Sequence, residues 1–127
     1  MQNKLLKCSF DFDQTLDRPI VQQYARELIN RGIDVWVCTA RFSDKRAPSP
    51  DWNKDLYEVT DSLGIPRNKI IFVEMADKYK FLENQGFIWH LDDDWVELNM
   101  LNKFTNVKGI SSFGNPKWKF KCDKLLK

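Results

Sequence analysis

The stretch CSFDFDQTLDRP, residues 8–19, decides how the rest of the chain is read. A β-prone apolar run, LLKCSF (5–10), ends abruptly in two aspartates two residues apart, Asp11 and Asp13. Carboxylates that close repel one another, and a strand end implies partial burial, which disfavours the charged form further. A bound cation is the simplest agent that offsets both costs.

Working outward, further short apolar runs recur as IDVWVC (33–38), KIIFV (69–73), FIWHL (87–91) and NVKGI (106–110). Helical spacing lies between them. Ile20, Tyr24 and Leu28 form one stripe over residues 19–30, with Asp17 as a cap and Gly32 as a stop. Trp52, Leu56, Val59 and Leu63 form another over residues 50–63, with Ser49 as cap, Pro50 in the first turn and Gly64 as terminator. Residues 76–84 and 95–102 are shorter candidates. Strand and helix alternate throughout, and the strand runs lack the strict polar alternation of a one-sided sheet. Together these predict an α/β fold: a three-layer Rossmann-like sandwich around a parallel sheet of about five strands.

A chain of 127 residues suits a single domain, residues 1–127, with its core over about 5–110. The net charge of +2 gives no general attraction to nucleic acid or membrane. Cys8, Cys38 and Cys122 have no metal-ligand spacing and cannot all pair, so they read as free thiols, Cys8 and Cys38 in the core, in a reducing cytoplasmic setting. No apolar stretch is long enough to span a bilayer. The tail KWKFKCDKLLK (117–127) alternates lysine with Trp118, Phe120 and Cys122, which predicts a lysine-protected edge strand within a basic segment, 116–127.

In parallel α/β sheets ligands bind beyond the carboxyl ends of the strands. Those ends carry Asp11 and Asp13; then Thr39, Ala40 and Arg41; then Asp92, Asp93 and Asp94; Lys78 lies on the helix before the fourth strand. Each has a plainer explanation: turn acids, a strand-finishing threonine, a solvated lysine, helix N-terminal acids. Taken together they are the parts that phosphoryl transfer needs. A carboxylate attacks phosphorus, a hard cation neutralises the oxygens, a hydroxyl and an ammonium hold the phosphoryl group, and a second carboxylate protonates the leaving oxygen. His90, the single histidine, reads as a packed or hydrogen-bonded residue within its strand rather than a ligand.

These motifs resemble those of the haloacid dehalogenase (HAD) superfamily of Mg2+-dependent phosphatases. DFDQT (11–15) matches D-x-D-x-T; Thr39 matches the threonine or serine closing the second strand; Lys78 matches the third motif and HLDD (90–93) the fourth, in the family's order. The resemblance implies the sheet order 5-4-1-2-3 and a Mg2+ cofactor. It implies Asp11 as nucleophile and metal ligand, and Asp13 as general acid and base with its backbone carbonyl on the metal. Thr39, Ala40 and Lys78 would bind the phosphoryl group. Asp93 would ligate the metal directly, with Asp92 beside it or acting through water, and Asp94 a further choice.

The gaps between the motifs hold no cap domain, and in this family that implies an open site. Nucleic-acid terminal phosphates are then one substrate class. A mononucleotide or other small phosphate, or a non-catalytic nucleic-acid binding role on the same scaffold, are the alternatives. The loop RFSDKRAPSPDW (41–52) carries Arg41, Lys45, Arg46 and Trp52, residues able to track phosphates and stack a base, or else to lie solvated and packed. The tail lysines offer a second basic face.

Overall fold

The computed structural model describes residues 5–127. Five strands, β1 (Lys7–Phe10), β2 (Asp34–Thr39), β3 (Ile70–Phe72), β4 (Phe87–Asp92) and β5 (Lys108–Ser111), form one sheet in the order β3-β2-β1-β4-β5. Every neighbouring pair is parallel. Counted from the β5 edge the order is 5-4-1-2-3, so β1 runs between β2 and β4. Helices α1 (Pro19–Asn30), α2 (Lys54–Leu63), α3 (Tyr79–Leu82), α4 (Trp95–Phe104) and α5 (Trp118–Leu125) connect and cover the strands. None is long and apolar enough to cross a membrane.

Side chains alternate across the sheet and fill a core on each face. Cys8 and Phe10, Val35 and Val37, and Trp89 and Leu91 meet Tyr24, Leu28, Leu56 and Trp118 in one cluster. Cys38, on the opposite face of β2, joins Leu82, Leu98 and Leu101 in the other, with Trp36 packed against it. All three cysteines are free and buried.

The helices form for the reasons their sequences suggest, with shifts in which residues face inward. In α1 the buried stripe is Val21, Tyr24, Ala25 and Leu28, while Ile20 is exposed. The α1 cap position is Arg18, not Asp17, whose carboxylate instead accepts from the Gln14 N–H at 3.1 Å. α2 starts at Lys54 rather than at Pro50, so Trp52 lies outside it; Gly64, with φ of 78°, ends it as its freedom in the left-handed region allows.

The tail is a helix, not the predicted edge strand. Its lysine alternation has period two, but the apolar residues Trp118, Cys122 and Leu126 also recur every four, and these three are buried while Phe120 is exposed. Helical spacing wins because it places Trp118 edge-on to Tyr24, centroids 5.4 Å apart. It also lets Trp89 Nε1–H donate to the Cys122 carbonyl at 3.2 Å and Tyr24 Oη–H to Asp123 at 2.6 Å. A strand would have buried Phe120's face of the tail and left these partners unmet.

The register sets the carboxyl ends of the central strands level. Phe10 pairs with Val37 on one side and Leu91 on the other, and the Asp11 N–H donates to the Leu91 carbonyl at 2.8 Å. Asp11, Thr39 and Asp92 therefore share one rim. Only a turn and α1 separate β1 from β2, and a loop, α2, a short turn and β3 separate β2 from Lys78, so no domain is inserted there.

Candidate active site

Directly after β1 the chain makes a tight turn, Phe12–Leu16, closed by bonds from the Leu16 N–H to the Asp11 carbonyl and from the Asp17 N–H to the Phe12 carbonyl, both 3.0 Å. Within it Gln14 takes a positive φ of 65°. The turn is clamped to the far edge of the rim: buried Thr15 shares a 2.9 Å hydroxyl bond with Ser112, just past β5, and Arg18 donates to the Ser112 carbonyl at 3.0 Å. Asp11 is thereby buried, whereas Asp13 is turned outward and exposed.

Lys78 is buried and reaches two of the acids. Its ammonium donates to Asp11 Oδ1 at 2.8 Å and to Asp92 Oδ2 at 2.6 Å. Its own backbone N–H donates to Glu97 Oε2 at 3.0 Å, which ties the loop before α3 to α4. Asp92 has further partners. Its Oδ2 also meets His90 Nε2 at 2.7 Å and its Oδ1 accepts from the Asp94 N–H at 3.0 Å. His90 Nδ1 in turn lies 2.7 Å from Ser9 Oγ. Since an ionised carboxylate only accepts, His90 donates through Nε2–H and accepts from Ser9 through Nδ1.

These contacts set the protonation states. Burial lowers the pKa of His90, favouring the neutral ring just described. Burial works against ionised Asp92 as well, but the His90 hydrogen bond and the Lys78 charge outweigh it and hold its carboxyl well below the usual range. Burial opposes a charged Lys78 too, yet Asp11 and Asp92 keep it firmly an ammonium. Asp11 goes the other way: burial drives its carboxyl well above the ordinary range despite Lys78, with the charge of Asp92 adding to the rise. Burial raises Asp93 similarly.

Asp11, Asp92 and Asp93 each offer an oxygen within 4.8 Å of the others. Three carboxylates against one ammonium leave the cluster two units negative when all are ionised. That imbalance and an all-oxygen donor set fit a hard divalent cation. Asp94 plays a different part: its side chain accepts from the Val96 and Glu97 N–H groups as the N-cap of α4. Thr39 is buried at the end of β2; its Oγ1 accepts from the Arg41 N–H at 3.2 Å, which leaves its hydroxyl proton to donate.

Beside the cluster lies a cleft of about 370 Å³ lined by Asp13, Ala40, Arg41, Phe42, Trp52, Asp55 and Met75. Arg41 organises it. Its guanidinium makes five hydrogen bonds of 2.7–3.0 Å: two to Asp13, two to Asp55 and one to the Trp52 carbonyl. No N–H of Arg41 is left for a ligand. On the opposite side Glu74 and Met75 both adopt left-handed backbone, φ of 53° and 68°. That conformation costs roughly 1–2 kcal/mol per non-glycine residue. The Met75 N–H donating to the Ala40 carbonyl at 2.8 Å, and the Glu74 carboxylate accepting from Ser43 and Arg46, hold it in place.

Of the residues singled out from sequence, Asp11, Asp92, Asp93 and Lys78 thus converge, Thr39 and Ala40 share their rim, and Asp13, Arg41 and Trp52 line the adjoining cleft. Lys45 and Arg46 do not line it; both are exposed, and Arg46 is engaged with Glu74 at 3.3 Å. Nothing in the sequence pattern singles out Ser112, Glu97 or Asp55, and little singles out Ser9. Ser9 carried one usable signal, its place two residues before Asp11 on the same strand. The others belong to the site only through register and helix packing. No protein-family model matches this chain, and no curated protein matches its sequence.

Proposed function

We propose that this chain is a Mg2+-dependent phosphomonoester hydrolase of the haloacid dehalogenase type. One observation carries that reading: a buried carboxylate, Asp11, lies 2.8 Å from a buried ammonium, with two further carboxylates within 4.8 Å, at the ends of adjacent parallel strands. A purely structural ion pair needs one acid for Lys78, not three acids at the strand rim.

Asp11 and Asp93 would hold the metal, with the Asp13 backbone carbonyl. Asp92 positions Lys78 and keeps its Oδ1, which accepts one hydrogen bond, beside the metal. When bound, Mg2+ would neutralise charge on the attacking carboxylate and on the phosphoryl oxygens. An Asp11 oxygen attacks phosphorus and the bond from phosphorus to the ester oxygen breaks, giving an aspartyl-phosphate and the alcohol. Asp13 donates a proton to the leaving oxygen, then takes one from the water that attacks the aspartyl-phosphate. Inorganic phosphate leaves and the Asp11 carboxylate is restored. Lys78 and the Thr39 hydroxyl hold the phosphoryl oxygens. To act as an acid, Asp13 must release Arg41; Arg41 then retains Asp55 and the Trp52 carbonyl, so the cleft wall does not collapse.

The test is turnover of a phosphate-ester panel with and without Mg2+: an aryl phosphate, mononucleotides, sugar phosphates, phosphopeptides and end-phosphorylated oligonucleotides. Mg2+-dependent release of phosphate that vanishes in Asp11→Asn, in a variant that still folds, is the expected result. Undiminished metal-dependent turnover in that variant removes Asp11 from the reaction.

A further inference from the structure

Phosphoryl chemistry accounts for the acids, Lys78 and Thr39. It does not account for the walls of the cleft beside Asp13. Trp52 is 42% exposed and Met75 73% exposed, two large apolar side chains facing solvent at one cleft. Met75 stands there on two successive left-handed residues, a conformation maintained by dedicated hydrogen bonds to Ala40, Ser43 and Arg46. Backbone strain of this kind concentrates where a side chain must be presented to a ligand.

The charges of the cleft disfavour one class of occupant. With Asp13 ionised and paired, two carboxylates, Asp13 and Asp55, face a single guanidinium whose donors are all engaged, so in this arrangement the wall is one unit negative. A polynucleotide backbone would meet repulsion here. Arg41 and Arg46 are paired with acids, so either would have to release a carboxylate before it could track a phosphate here. A planar, uncharged ring meets the opposite: the Trp52 side chain, a thioether and Phe42, within a volume typical of small-molecule sites.

Resting on the phosphatase reading, we propose that the cleft lined by Phe42, Trp52 and Met75 receives the leaving group. The preferred substrate is then a monophosphate ester whose alcohol half carries one aromatic ring system, as in a nucleoside monophosphate or an aryl phosphate. Asp13 lines the same cleft, so the group lodged there is the one whose oxygen Asp13 protonates. Trp52 and Met75 are specificity-determining residues in this scheme.

Two measurements test it. The first is kcat/KM for a nucleoside monophosphate, an aryl phosphate, glycerol phosphate and a 5′-phosphorylated oligonucleotide in the wild type and in Trp52→Ala. The second is calorimetric binding of the same compounds, with Mg2+, to Asp11→Asn, with and without Trp52→Ala. The expected result is at least a tenfold preference for the aromatic monophosphates over glycerol phosphate. Trp52→Ala should cut that ratio about tenfold, the loss of one stacking contact. Met75→Gly, which relieves the positive φ, should lower the same ratio without loss of thermal stability. The nucleoside and aryl arms then tell which ring is preferred. Turnover with no aromatic preference, or a preference for the oligonucleotide, overturns the cleft assignment and leaves the phosphatase reading standing. Ring-selective binding that depends on Trp52 without any turnover does the reverse. Neither turnover nor ring-selective binding overturns both.

Discussion

Lys78 is the residue on which the site turns. It is a buried cation serving two buried carboxylates, and removing one partner of such a set leaves charge uncompensated in a low-dielectric setting. Lys78→Met should destabilise the fold by about 3 kcal/mol, on the scale of broken buried pairs, measured by urea unfolding. Added Mg2+ should recover part of that loss, because a cation at the acid cluster supplies the missing charge. Asp11 and Asp92 pull stability in opposite directions with pH. Asp92 titrates below its unfolded value, so its contribution is present above the ordinary carboxyl range and is lost as pH falls through its folded pKa. Asp11 titrates above its unfolded value, so its contribution is present at low pH and is lost as pH rises through its folded pKa. Asp11→Asn removes the second effect alone. Stability should then rise more steeply from about pH 4 upward than in the wild type, since the Asp unfolded value lies near pH 4. The variant's melting temperature at neutral pH should match or exceed the wild type's without metal. A fall of many degrees would mean that the Asp11 carboxylate is structural.

At the scale of elements, α5 is where pattern and packing part company. Trp118 on the tail helix is anchored against Tyr24, and Trp118→Ala should cost about 3–5 kcal/mol, whereas exposed Phe120→Ser should change stability by well under 1 kcal/mol. An edge strand with both rings on one buried face would give similar losses for the two, so denaturant midpoints separate the structures. β5 and α4 meet at Gly109, where an added Cβ would lie 3.0 Å from the Leu98 side chain and its carbonyl. Gly109→Ala should therefore cost about 1–3 kcal/mol by overpacking, read from the same unfolding curves. Both elements bear on the site, since α4 carries Glu97 against Lys78 and β5 leads into Ser112.

For the whole molecule, the parallel order with β1 between β2 and β4 is what turns scattered residues into a site. Mg2+ should raise the wild-type melting temperature, because a ligand that binds only the folded state stabilises it by mass action. In Asp93→Asn the shift should shrink or vanish; an unchanged shift would place the cation elsewhere. The fold class was legible because strand-sized apolar runs alternated with helical spacing, a pattern that only a two-sided parallel sheet satisfies economically. The acids and Thr39 were legible because each closes a strand.

The partners lying between the motifs were not legible. Ser9 meets His90 only because of the register between β1 and β4, and Thr15 meets Ser112 across 97 positions of sequence. Arg41 could be placed near the rim, but its commitment to Asp13 and Asp55 depends on where α2 begins. By itself, then, the sequence determined the alternation of elements and which residues would stand at the strand ends, since both follow from local periodicity and chain order. The tertiary structure decided which acids share Lys78, which way the tail folds, and that Phe42, Trp52 and Met75 line a cleft whose guanidinium is already occupied. Those outcomes depend on contacts between distant segments, and local patterning carries no information about register or about which of two compatible periods the surrounding core will accept.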